Sequence, residues 1–169
     1  MSELRSLELQ NRYNQWMNES LYERCQPLDP EMLSRDLGAF FKSILGTLNH
    51  LLLADRLWMG RFTGEAYPIT RLDTILYVDF ETLRAERAMT DQALTDYLAG
   101  LTEVDLDQPL HYTSVLSPEP RTLRLGDALL HVFHHQTHHR GQVTTLLSQL
   151  GVDFGETDLL FIPGVVQRG

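Results

Sequence analysis

The chain has 169 residues, enough for one domain with a sizeable hydrophobic core. It carries 14 Lys and Arg against 23 Asp and Glu, a formal net charge of −9, and Lys42 is its only lysine. That balance argues against binding the phosphate backbone of nucleic acid, which needs clustered cations, but leaves room for a local arginine-lined pocket that takes an anionic substrate.

One cysteine, Cys25, rules out an intramolecular disulfide framework. The N-terminus "MSELRSLELQNRYNQW" is polar, and no stretch approaches the ~20 apolar residues that span a bilayer. The expectation is a cytoplasmic protein that binds neither membrane nor nucleic acid. Residues 1–169 read as a single domain, with no repeat or low-complexity linker.

Periodicity predicts a first helix over about Leu4 to Cys25, with Leu9, Tyr13, Trp16, Met17, Ser20 and Leu21 recurring at helical spacing. Pro27 and Pro30 break it, and Asp29 then stands as an N-cap with Pro30 at the first helical position. A second helix over about Leu37 to Phe62 includes "FFKSILGTLNHLLLADRLWMGRF". It is apolar on most sides, which predicts burial against more than one neighbour. "TGEAYPITR" reads as a loop. A third helix, about Asp79 to Leu101, is expected to turn the charged run "ETLRAER" outward. "PLHYTSVLSPEPRTLRL" alternates between turn residues and reads as a short hairpin. A fourth helix runs from about Gly126 to Leu150, closed by Gly151. Four long helices with few strand signals predict an all-α, antiparallel four-helix bundle with a short hairpin before the last helix.

The last helix holds five histidines between positions 131 and 139, in "HVFHHQTHHRGQ". Its apolar residues, Leu125 to Leu150, define a core direction. At ~100° per residue His139 lies about 40° from that direction and His135 about 80°. His131 lies about 120° away, His138 about 140° and His134 about 180°. His135 and His139 are therefore the inward pair. Four residues apart, they share a helix face and can converge on one ion. Outside this cluster stand only His50 and His111. His50 sits in the apolar second helix, where an unpaired imidazole is costly, whereas His111 sits in the hairpin, where exposure is cheap. His50 is the choice for a third ligand, although a helix apolar nearly all round gives weak phase information.

"TLNHLLLADRLWMGRF", followed about eighty residues later by "HVFHHQTHHRGQV", resembles the DinB family of metal-binding four-helix bundles. "YNQWMNESLY" and "FFKSILGT" extend the resemblance over most of the chain. It implies a bundle of DinB type in which His50, His135 and His139 hold a divalent metal ion. His134 and His138 are not part of the implied triad. The wider superfamily includes transferases and isomerases that use low-molecular-weight thiols, so the resemblance also implies a small-molecule substrate, such as one of these thiols.

Three neutral nitrogen ligands would leave the ion's double charge uncompensated and a coordination position open, the catalytic rather than the structural pattern. Such a site lowers the pKa of bound water or thiol. Zinc and nickel both suit imidazole. The sequence contains neither HExxH nor Glu-x-x-His, which sets aside a metalloprotease and a ferritin-like di-iron site. Asp55, Arg140 and Gln142 are candidates for supporting the ligands. Asp55 and Arg140 are also placed to form an ion pair that aligns the helices, the favoured reading of those two. Asn49 either orients a ligand or faces solvent. Gly141 lies on the outer side of the last helix, marking either a close contact across a homodimer or a tolerated interruption. Cys25 is read as an inert packing residue, and Tyr13, Trp16 and Trp58 as core.

Two functional readings follow: a metal-dependent enzyme of thiol S-transferase or hydrolase type, and a non-catalytic metal- or small-ligand-binding protein of the stress response. A third is a structural helical dimer with an incidental histidine cluster.

Overall fold

The computed structural model describes residues 2–166. In chain order they form α1 (Glu3–Cys25), α2 (Pro30–Ser34), α3 (Ile44–Thr63), α4 (Phe80–Ala99) and α5 (Glu103–Leu106). The strands β1 (Pro109–Ser114) and β2 (Ser117–Arg124), the helix α6 (Leu125–Gln149) and a 3-10 turn at Leu159–Phe161 follow. Helix starts carry their own chemistry. Ser2, Asp29, Ser43 and Asp79 each accept the backbone N–H three residues on, filling donors that the first turn leaves unpaired.

The second long helix begins at Ile44, not near Leu37. Residues 37–43 instead form a tight turn bridged from Ala39 to Lys42, with Lys42 at φ 68° and Ser43 as the cap. Hydropathy cannot see a cap inside an apolar run, so periodicity alone extends the helix too far. The turn leaves Phe40 82 % exposed and directs Phe41 inward.

Helices α1 and α4 pack antiparallel, as Asn11–Thr95, Asn18–Asp91 and Gln26–Arg84 contacts show. Helices α3 and α6 do likewise through Gln136–Leu51 and Trp58–His131. Between these pairs the direction is shared. Asp55 meets Arg87 and Phe62 meets Tyr97 along α3 and α4, while Glu3 meets Arg124 and Asn14 meets Arg140 along α1 and α6. Because α3 and α4 run the same way, residues 64–79 must return along the length of the bundle. At ~3.3 Å per residue they span it with slack. The hairpin β1–β2, paired from Pro109↔Arg124, closes the end where α6 begins.

The interior has two apolar clusters. One gathers Met17, Leu21, Ile44, Leu48, Leu83 and Leu147; the other gathers Leu7, Trp58, Leu94, Leu98, Leu129 and Phe133. Between them lies a buried polar layer of Asn14, Asn18, Asp55, Arg87, Asp91, Gln136 and Arg140. Two sequence expectations are corrected here. The deepest residues of α1 are Leu7, Asn11, Asn14, Met17, Asn18, Leu21, Tyr22 and Cys25, so Met17 and Leu21 lie inside as the spacing predicts, while Leu9, Tyr13, Trp16 and Ser20 are half-buried beside them. The run "ETLRAER" does not face solvent throughout, because its last residue, Arg87, is 3 % exposed. Both follow from one cause: the polar groups of α1 and α4 satisfy each other inside the bundle, which a hydropathy pattern cannot register.

Two glycines on α3 permit close backbone approach. A Cβ on Gly46 would overlap the Phe41 carbonyl, and one on Gly60 would stand 2.5 Å from the Glu65 carbonyl oxygen. Gly46→Ala should gain about 1 kcal/mol of helix propensity but lose roughly 1–3 kcal/mol to the clash. The expected net result is a lower urea midpoint together with displacement of Phe41. A variant more stable than the parent would refute the close approach.

Candidate metal centre

His50 lies in the middle of α3, 5 % exposed, beneath the returning segment 64–79. Its Nδ1 is 2.9 Å from the Leu72 carbonyl oxygen, which can only accept, so Nδ1 carries the proton and Nε2 the lone pair. Asn49 secures that arrangement. Its amide donates to the Leu45 and Tyr77 carbonyls, and its oxygen accepts the Leu76 and Tyr77 N–H groups at 2.8 and 2.9 Å. Asn49 therefore neither faces solvent nor touches the histidine. It clamps the segment that supplies the histidine's acceptor.

On α6, His139 donates from Nδ1 to Gln142 Oε1 at 2.7 Å, which again leaves Nε2 bare. His135 Nε2 stands 3.1 Å from His50 Nε2. The ring centroids of the three histidines are 5.1, 4.6 and 4.4 Å apart, and one nitrogen from each falls within 4.8 Å of the others. Phe41 stacks on His50 with centroids 3.8 Å apart and meets the edge of His139.

This donor set fits a divalent ion. Two Nδ1 protons are already engaged, so the Nε2 lone pairs point into a shared space. A 3.1 Å separation suits two ligands each ~2.0–2.1 Å from one centre. Protons are disfavoured in the same place. Burial lowers the pKa of His50 to about 4, and burial with the neighbouring histidines lowers that of His135 to about 3. His139 is lowered as well, again chiefly by burial. All three are neutral at pH 7.

Linkage gives the sign for the metal-free protein. The unfolded chain takes up protons near the ordinary value of 6.5 and the folded chain does not, so stability is lost as pH falls from 6.5 towards about 4. The urea midpoint of metal-free protein should drop across that window. The slope should flatten when all three histidines are replaced by glutamine, and an unchanged slope would contradict the assignment.

The other histidines stand apart. His131, His134 and His138 are exposed on α6, with His131 against Trp58, and His111 bonds Thr122 in the hairpin. Asp55 and Arg140 do not pair with each other. Asp55 lies 2.8 Å from Arg87, whereas Arg140 bonds Asn14, Asn18, Gln136 and Thr137. Helical phase gives depth but not which neighbouring helix a side chain meets, and α4 rather than α6 offers Asp55 its cation. Neither residue bonds a histidine of the triad. Sequence reasoning did not find Phe41, the Leu72 carbonyl or Arg87. For Arg87 a signal existed, since it shares a stripe with Leu83, Asp91, Leu94 and Leu98. For a backbone carbonyl none could.

A model of the DinB family matches residues 1–165. The chain belongs to the DinB family. It is 27 % identical over 155 residues to Protein DinB of Bacillus subtilis (strain 168), covering 86 % of this chain and 87 % of that one. A crystal structure of a DinB-like protein from Bacillus cereus ATCC 10987 superposes with a TM-score of 0.59 at 22 % identity, covering 83 % of this chain and 89 % of that one. That likeness concerns the fold, here the helices of the DinB bundle with a two-stranded hairpin before the last of them. Among the described residues of this DinB-family chain, no helix is long and apolar enough to cross a membrane.

Proposed function

We propose that this protein is a divalent-metal-dependent enzyme of the thiol S-transferase or hydrolase type, with zinc or nickel held by His50, His135 and His139. The observation that carries the reading is the convergence of three neutral imidazoles with no carboxylate among them. When bound, such an ion supplies Lewis acidity that makes a thiol or water nucleophilic near neutral pH. The chain's own groups do the positioning. Leu72 and Gln142 hold two imidazoles in the tautomer that presents Nε2, and Asn49 fixes the backbone that carries Leu72.

The test is conjugation of glutathione, bacillithiol or mycothiol to model electrophiles by zinc- and nickel-loaded protein, with ester hydrolysis in parallel. Turnover that requires the metal and disappears in His135→Ala supports the reading. Stoichiometric metal with no turnover in either assay would sink the enzymatic part.

One observation favours a second reading, a cytoplasmic metal- or small-ligand-binding protein of the stress response. Phe41 covers His50 and would restrict access to the ion. Phe41→Ala separates the two, because exchange of bound ion should speed up without any activity appearing. We also propose that a second copy packs on the outer face of α6 at Gly141, where a Cβ would meet no atom within 4 Å in this chain. Sedimentation of Gly141→Glu as a monomer, against a dimeric parent, tests that contact.

A further inference from the structure

Arg61, one helical turn beyond Trp58 on α3, has neither a carboxylate partner nor a hydrogen bond among the described residues. Exposed arginines such as Arg5 and Arg24 also lack such partners, but among the buried and half-buried arginines of this acidic chain Arg61 stands apart. Arg56 meets Glu86, Arg87 meets Asp55 and Asp91, Arg124 meets Glu3, and the buried Arg140 has four polar partners.

What holds Arg61 is aromatic. Its guanidinium carbon lies 4.3 Å from the Trp58 ring centroid and 4.4 Å from that of Tyr112, and those two centroids are 5.3 Å apart. Three such lengths close a compact triangle, so both rings stand to one side of the guanidinium. Cation–π contact fixes the group without consuming its N–H donors, which remain available to a planar oxyanion.

Arg61 borders a cavity of about 410 Å³ between the end of α3, the start of the returning segment and β1. Tyr67, His111, Thr113 and Ser114 add polar groups to its wall, and Gly60 lets the Glu65 backbone close over one side. A second cation stands nearby. Arg121 is the cross-strand partner of Tyr112, so it lies on the same face of the hairpin, and it has no ion pair among the described residues. Burial and the proximity of Arg121 both disfavour the charge on Arg61, a cost that an anion docking here would relieve.

We propose that this cavity is a binding site for the carboxylate or phosphate group of a small molecule, with Arg61 as the principal contact and Arg121 as an auxiliary cation. The site is separate from the histidine triad and does not depend on its loading.

Isothermal titration of the metal-loaded and the metal-stripped protein with benzoate, phenyl phosphate and neutral benzamide tests it. At least one anion should bind 1:1 in both preparations, at least tenfold more tightly than benzamide, and the tighter of the two identifies the natural oxyanion. Arg61→Gln should weaken that binding at least tenfold, the size expected for losing a charge-assisted pair. Arg121→Gln, on the exposed hairpin, should weaken it less, and Arg61→Lys should retain part of it. No saturable binding of either anion up to about 10 mM would overturn the proposal, as would equal affinity for benzamide or indifference to Arg61→Gln. Binding that vanishes when the metal is removed would place the anion on the triad and would also overturn it.

Discussion

Alanine at His135 should lower divalent-metal affinity by more than about 100-fold, while alanine at His134, one residue away, should leave it within about twofold. The gradient between them is the informative part. Gln142 touches only the far nitrogen of His139. Its replacement by alanine should fall between the two, at about 10–100-fold, because an acceptor on the remote nitrogen fixes tautomer and ring orientation without contacting the ion. Equilibrium dialysis with elemental analysis of untagged protein reads all three variants, with His50→Ala and His139→Ala beside them. His134 is exposed on the opposite side of α6 and cannot reach the triad without unwinding the helix. Undiminished metal in His50→Ala and His139→Ala would refute the triad. Equal losses in His134→Ala and His135→Ala would show that the exposed cluster, not the inward face, binds the ion.

Arg87→Met should cost about 3–5 kcal/mol of folding stability, the largest loss expected from one substitution outside the core hydrocarbons. Arg87 stands 2.8 Å from Asp55 and 2.8 Å from Asp91, all three almost fully buried. Neither Asp55 oxygen meets a well-directed donor, so charge rather than aligned hydrogen bonding holds that side of the pair. Methionine conserves volume but leaves two carboxylates facing each other in the interior. Burial already raises the pKa of Asp91, with Arg87 the main opposing influence. Without that cation the folded chain would take up a proton more readily than the unfolded one. The deficit relative to the parent should therefore shrink as pH falls from 7 to 5. Adding Asp55→Asn and Asp91→Asn to Arg87→Met should recover much of the loss, since an uncharged layer no longer needs the cation. Urea unfolding at both pH values measures this. A loss below about 1 kcal/mol, or one that does not narrow at low pH, would mean that the layer is better hydrated than its burial indicates.

The polar layer also explains where sequence reading succeeded. On α6 the apolar residues are numerous and one-sided, so the angular ranking of its histidines is meaningful. His139 is the most buried, His135 follows, and the other three are exposed. On α3 every position from Ile44 to Asp55 is buried, which leaves no exposed face from which to measure an angle. His50 was legible only as a costly imidazole in an apolar run and through the paired motifs. On α1 and α4 periodicity misleads for the opposite reason, because asparagine, arginine and aspartate occupy interior positions that hydropathy assigns to solvent.

Local chemistry written along the chain was sufficient for the helical composition of the bundle, the Asp29–Pro30 start, the hairpin ahead of α6 and the inward pair His135 and His139. Periodicity and turn residues act between near neighbours in sequence, and a sequence displays those directly. Packing between distant segments decided the rest. It set the return of residues 64–79 that brings the Leu72 carbonyl to His50, the pairing of Asp55 with Arg87 rather than Arg140, and the turn that lays Phe41 over the triad. It also left Arg61 against two rings with no counter-ion among the described residues. Each of these depends on which helix lies beside which and in what direction, and no periodicity within a single helix carries that information.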